Sequence, residues 1–151
     1  MTKSNVVVFP TDFSEMSLEA LQWAKRMAAI LDAELHCLYV VEEPHIYATL
    51  ELGPLPIPTT DELSGSAESQ LNTFVADHLK GFSQSSLATV AIGRPADEIL
   101  NYANEVDAVM IVMATHGHTG LKHVQLGSVT ERVVRGAHCA VLVVKQPGKN
   151  E

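Results

Sequence analysis

The chain is short of several things, and each shortage excludes something. Cysteine occurs twice in 151 residues, at Cys37 and Cys139. Two thiols do not make the disulfide framework of a small secreted domain. Both sit in apolar runs and are expected as buried thiols, not as a redox pair. Basic charge is also scarce: 10 Lys and Arg against 18 Asp and Glu leave a net charge of −8. That balance disfavours nonspecific nucleic-acid binding and attraction to anionic lipid. It does not forbid a local anion site, because backbone N–H groups bind phosphate without lysine. No apolar run reaches membrane-spanning length, so no membrane insertion is expected. No long apolar stretch follows Lys3, so no signal peptide is expected and a cytoplasmic location is. Two nucleotide motifs are missing. Pro10-Thr11-Asp12-Phe13-Ser14 holds no Gly-x-Gly-x-x-Gly, and no Gly-Lys-[Ser/Thr] occurs anywhere. The dinucleotide fingerprint and the P-loop ATPase are thereby disfavoured.

What is present is globular. Apolar residues make up 46% and charged residues 19%, which argues against a disordered chain. The length fits one domain over residues 1–151. Short β-branched runs recur at Asn5–Phe9, Leu35–Val41, Leu87–Ile92, Ala108–Met113 and Ala140–Val144. Continuous apolar runs of this length predict strands buried on both faces. Between them lie helical patterns. Leu18, Leu21, Ala24, Ala28 and Leu31 mark the first, with Ser14 as its N-cap and Trp23 expected packed. Ala67, Leu71, Phe74, Val75, His78 and Leu79 mark the second, with Gly81 beyond its end. Ala96, Ile99, Leu100 and Ala103 mark the third, opening at Pro95. Ser128 to Arg135 forms the fourth; Arg132 and Arg135 there either border a dimer contact or cover the sheet. The methionines are expected as core filler. Strict alternation predicts an open parallel five-stranded sheet, order 3-2-1-4-5, with helices on both faces. The proline-rich segment Glu42–Gly65 is the one long irregular stretch, either functional or a plain surface insertion.

Open α/β sheets bind ligands beyond the carboxyl ends of their strands, where the strand order reverses. In this order that point lies between strands one and four. Asp12 follows strand one; it holds ribose hydroxyls or a phosphate-bound cation, or else only binds backbone N–H groups of its own turn. After strand four comes Ala114-Thr115-His116-Gly117-His118-Thr119-Gly120, and later Gly127-Ser128 opens a helix. Glycines let the backbone approach a ligand, and a helix N-terminus favours an anion. A glycine turn with an ordinary serine cap is the plainer alternative. His116, His118 and His123 do not have zinc-ligand spacing. A phosphate-lining or exposed loop fits better, with His116 or His118 neutralising phosphate when protonated.

At these residues the sequence resembles the universal stress protein family, whose motif is Gly-x-x-Gly, nine residues, then Gly-[Ser/Thr]. Ala114-Thr115-His116-Gly117 is followed by nine residues and then Gly127-Ser128. Residues 10–14, Gly93-Arg94-Pro95 and Val141–Val144 extend the resemblance along the chain. It implies a Rossmann-like fold, often dimeric, with an adenine nucleotide (ATP, ADP or AMP) bound in one branch of the family. By resemblance, Gly117, Gly127, Ser128 and Val129 hold phosphates. Asp12 holds ribose or a metal such as Mg²⁺, the backbone at Val40 meets the adenine, and Thr11, Met113, His116 and His118 complete the site. Ala114 stands where the full motif has its first glycine; its methyl matters only if φ is positive or phosphate needs a bare Cα there. No nucleophile–base pair and no acid/base carboxylate pair stands out. A nucleotide-binding regulatory protein in stress response, with an unidentified protein partner, is therefore expected, not a dedicated enzyme. Slow Mg²⁺-dependent ATP hydrolysis and a nucleotide-free interaction module are the alternatives. The fifth strand, apolar and free of proline and charge, is expected to pair with its copy in a homodimer.

Overall fold

Five strands make one parallel sheet in the computed structural model: β1 (Asn5–Pro10), β2 (Ala33–Val41), β3 (Ser86–Ile92), β4 (Met110–Ala114) and β5 (Ala140–Val144). The structure describes residues 4–42, 60–116 and 126–146. The strand order is β3-β2-β1-β4-β5, as the alternation predicts. Four helices connect them: α1 (Glu15–Ile30), α2 (Thr60–His78), α3 (Pro95–Glu105) and α4 (Ser128–Gly136).

Strand parity divides the core in two. Successive strand residues face opposite sides of a sheet. Val7 and Phe9 of β1, Leu35 and Cys37 of β2, and Val112 of β4 pack under α1 and α2, against Ala20, Leu21, Ala24, Leu71 and Phe74. Val6, Val8, Leu38, Ile111 and Met113 face the other way, onto Ala96, Ile99 and Ala103 of α3 and Val133 of α4. β1 is flanked by strands and covered on both faces, so its continuous VVVF run is wholly buried.

The edge strands depart from expectation. β3 begins exposed, with Leu87 at 50%, and β5 is only half-buried along most of its length. An edge strand lacks a neighbour on one side, so an apolar run there does not guarantee full cover. Trp23 is likewise not packed: it is 43% exposed, with the Arg26 guanidinium 5.0 Å from its ring centre. It lies off the stripe of Ala20, Leu21, Ala24 and Ala28 that faces the sheet. The second helix starts earlier than its apolar pattern. Thr60–Gly65, expected in the irregular stretch, forms its first turns, where Asp61 and Glu62 suit the positive helix end. Residues 43–59 of that stretch lie outside the described residues. Arg132 and Arg135 are exposed, pairing with Asp97 at 3.1 Å and Glu131 at 2.8 Å, so neither covers the sheet.

A part-buried polar chain crosses the α3 face, with His36 at its buried centre. His36 Nε2 lies 3.2 Å from Glu34 Oε2, and its Nδ1 lies 2.8 Å from Tyr102 Oη. Thr89 Oγ1 is 3.1 Å from the same phenol. One assignment satisfies every member: Thr89 donates to Tyr102, Tyr102 to Nδ1, and Nε2–H to Glu34. Burial pushes the Tyr102 phenol above its usual range, against the opposing Thr89 hydrogen bond.

The two cysteines differ. Cys37 is buried and Cys139 only half-buried, and neither is in a disulfide. Burial pushes the Cys37 thiol up to about 12, so roughly one molecule in 10⁴ carries its thiolate at pH 8. Iodoacetamide at pH 8 is expected to leave Cys37 unmodified in the native protein and to alkylate it in urea. Peptide mass mapping checks this; rapid native labelling of Cys37 would contradict it.

Candidate functional site

The ladder between β1 and β4 pairs Val7 with Met110 and Val8 with Ile111. Both strands continue past it, to Pro10 and Ala114. Pro10 has no N–H to give, and the next donor, Thr11 N–H, turns to Leu38 O on β2 at 2.9 Å. The strands thus stop pairing at the point where the sheet's winding reverses, and a cleft of about 860 Å³ opens there. Thr11, Asp12, Val40, Met113, His116, Gly127, Ser128 and Val129 all line it, as does Ala114. Gly117 and His118, also expected at the site, lie outside the described residues.

Two helices begin at this cleft, and their ends differ. At α1 the preceding loop satisfies itself. Ser14 Oγ accepts the Ser17 N–H at 3.2 Å, and Ser17 Oγ donates back to Ser14 O at 2.9 Å. Thr11 Oγ1 lies 2.9 Å from Ser17 Oγ and accepts the Phe13 N–H at 3.0 Å. Asp12 Oδ1 accepts the Ser14 N–H at 3.0 Å. The turn-binding reading of Asp12 is therefore realised, while the same carboxylate also lines the cleft. The N-terminus of α1 is closed by its own side chains.

At α4 the N-cap is Gly127, and among the described residues no side chain caps it. The first N–H groups of a helix have no intrahelical acceptor, and those of Ser128 and Val129 belong to residues in the cleft wall. Gly127 has φ −61°, open to any residue. A Cβ there would stand 3.3 Å from Thr115 O, close enough that the end of β4 would have to give by a few tenths of an ångström. Gly127 N–H also donates to Thr115 O at 2.8 Å, and the Thr130 hydroxyl to Ala114 O at 2.9 Å. These bonds fasten the uncapped helix end to the end of β4. Ala114 is absent from the positive-φ residues of the described chain, so its methyl brings no backbone strain.

The charges of the described wall are acidic, Asp12 and Glu42, with His116 as its imidazole. His116 Nδ1 lies 3.2 Å from Thr115 Oγ1, whereas its buried Nε2 has no partner among the described residues. An unpaired buried nitrogen of this kind costs about 1–3 kcal/mol. Among the described residues no three His, Cys, Asp or Glu side chains converge as a metal site.

Several lining residues escaped the sequence reading. Phe13 adopts φ +65°, rare for a bulky residue. In that conformation its ring packs 4.6 Å from Tyr39 and 5.4 Å from Phe74, centre to centre. Tyr39, Gln70 and Thr130 also line the cleft. Tyr39 and Gln70 come from neighbouring elements, and no local motif marks them. Thr130 was detectable, standing in the first turn of the glycine-led helix.

A model of the universal stress protein family matches residues 4–145. The universal stress protein MJ0531 of Methanocaldococcus jannaschii is 37% identical over 147 residues, 95% of this chain and 83% of its own. The chain belongs to the universal stress protein family. The solved structure of MJ0577 superposes with a TM-score of 0.77 at 28% identity, covering 98% of this chain and 100% of that one. A universal stress protein solved in complex with cAMP gives 0.69 at 24% identity, over 95% and 98% of the two chains. The Archaeoglobus fulgidus universal stress protein in complex with dAMP gives 0.66 at 20%, over the same shares. The likeness to these last two speaks for the fold.

The self-closed loop makes one expectation specific. Ser14→Ala removes the cap of α1 and is expected to lower stability by about 1 kcal/mol. Urea unfolding followed by circular dichroism checks it; an unchanged midpoint would show that Ser17 alone holds the turn.

Proposed function

We propose that this universal stress protein binds an adenine nucleotide in the β1–β4 cleft, as a regulatory protein in stress response. The carrying observation is the N-terminus of α4, which no side chain caps among the described residues and which opens into the cleft, while α1 beside it is capped by its own loop. Backbone N–H groups and the helix dipole then offer a seat for phosphate that needs no lysine. Ser128, Val129 and Gly127 would hold the phosphates, together with Gly117; His116 and His118 would add charge when protonated. Asp12 would meet the ribose, and the backbone of Val40 the adenine, with Thr11 and Met113 beside them. The complexes of two structural neighbours with cAMP and dAMP support an adenine ligand. A Mg²⁺ ion brought in on a polyphosphate would gain Asp12 as one carboxylate and take its other oxygens from phosphate and water.

Ser128→Pro tests the seat. Proline is welcome at the first helical position, and Gly127 already has the extended ψ of 158° that a following proline requires. The variant deletes one phosphate-facing N–H and leaves the fold intact. Calorimetry is expected to give micromolar binding of AMP, ADP or ATP by the natural chain. Ser128→Pro should weaken these about tenfold, as loss of one hydrogen bond to a charged group implies. Adenosine should bind both proteins alike, and Ser128→Ala separates the hydroxyl from the N–H. Absence of any adenine nucleotide binding by the natural chain would overturn the reading. Ala114→Gly is expected to leave ATP affinity unchanged, given the backbone at that residue.

The homodimer through Ala140–Val144 belongs to the same proposal. β5 is an edge strand with no proline or charge before Lys145, and pairing with its copy would satisfy both edges. Val143→Asp is expected to give a monomer by light scattering. A monomeric natural chain at high concentration would contradict the dimer.

A further inference from the structure

The surface of α1 that faces away from the sheet carries an unusual combination of side chains. Trp23 is 43% exposed and Ile30 is 73% exposed. They stand two turns apart on one helix face, with Arg26 between them, its guanidinium over the indole. Beside this stripe runs a second, smaller groove of about 320 Å³. Lys25, Arg26 and Ala29 form one side of it, and Lys80 to Ser83, just past α2, form the other. Lys25, Arg26 and Lys80 are three of the ten basic residues in a chain of net charge −8. Lys25 is partly committed, since its Nζ donates to His78 O at 3.1 Å and so ties α1 to the end of α2. Glu19, one turn before Trp23, closes the patch at its amino end.

Scattered apolar side chains on a surface need no explanation. Here, however, an aromatic and an aliphatic residue lie alongside most of the local positive charge of an acidic protein. Exposed Trp and Arg are the residues that most often anchor partners. We propose that this face of α1 docks an acidic amphipathic segment of another protein. Its apolar side chains would rest on Trp23 and Ile30, and its carboxylates would meet Arg26, Lys80 and Lys25. Charge complementarity decides the chemistry of the occupant. The net charge of −8 disfavours an extended polyanion or an anionic membrane, whereas a short segment with few carboxylates meets the local cations at close range, within the screening distance. The patch is small, so the complex is a transient one in the micromolar range.

The position adds a consequence. Arg26 lies twelve residues along α1 from the Ser14 cap, about 18 Å at helical rise. The docking face and the cleft thus occupy opposite ends of one helix and do not compete for space. The proposal does not depend on which ligand the cleft takes.

Selection of random peptides displayed against the intact protein tests it. The expected enriched sequences carry Asp and Glu beside Leu, Phe or Trp at helical spacing. A synthesised winner should shift the emission of the sole tryptophan to shorter wavelength. Its affinity should fall at least tenfold in the Arg26→Glu/Lys80→Glu variant and several-fold in Ile30→Ser, with melting temperatures unchanged. Enrichment of neutral or basic peptides would overturn the proposal, as would binding insensitive to both variants. Equal binding of single-stranded DNA or phosphatidylserine vesicles at the same face would also overturn it. Loss of self-association in Arg26→Glu/Lys80→Glu, seen by light scattering, would reassign the face to a second copy of this chain.

Discussion

The winding of the sheet reverses between β1 and β4, and the rest of the molecule's carboxyl-end surface is a consequence. α1 and α2 return along one face, α3 and α4 along the other. No helix can bridge the place where the two directions part. Pairing between the two central strands ends at Val8 and Ile111, and Pro10 contributes no donor that could extend it. A crevice is therefore a topological necessity, and what the sequence decides is how that crevice is lined.

The lining separates two helix ends by their hydrogen bonds. Thr11, Asp12, Ser14 and Ser17 hydrogen-bond within the loop before α1 and its first turn, so that end of the helix carries its own cap. The loop before α4 spends its side chains differently. Thr130 and the Gly127 N–H hold the end of β4, and among the described residues no side chain caps the helix. One end supplies a fixed wall, the other a partial positive charge. The close approach of Gly127 to Thr115 lets both meet at one cleft without a side chain wedged between them.

The alternation of elements, the apolar helix positions and the Ser14 cap were legible because each is written in local periodicity or a single cap residue, while the strand order followed from the doubly wound fold type. Ser14 precedes an apolar stripe, Pro95 opens α3, and five β-branched runs alternate with helices. Trp23 was misjudged because its size outweighed its position; the periodicity of Ala20, Ala24 and Ala28 already put it off the buried stripe. Gly65 was read as loop because glycine and the prolines before it mask a helix start. The fifth strand was legible as an edge from the expected order, but the partial exposure of β3 and β5 was not, because apolar runs alone suggest cover on both faces. At the cleft, Asp12, Ser128 and Val129 were legible from motif spacing. Phe13 in its left-handed conformation, Tyr39 and Gln70 were not, because each depends on an aromatic cluster or a helix that only the fold brings near.

The chain of Thr89, Tyr102, His36 and Glu34 also has a meaning for assembly of the sheet. β2 is apolar along most of its length, so hydrophobic burial alone discriminates weakly between one register and the next. A slip by one residue would swing His36 to the α1 face and strip Tyr102 of its acceptor inside the α3 face. The native pairing of His36 with Val8 and with Leu87 is thus marked by polar side chains where the apolar pattern is ambiguous. The contacts of His36 with Tyr102, and of Tyr102 with Thr89, therefore favour the native register of β2 over a one-residue slip.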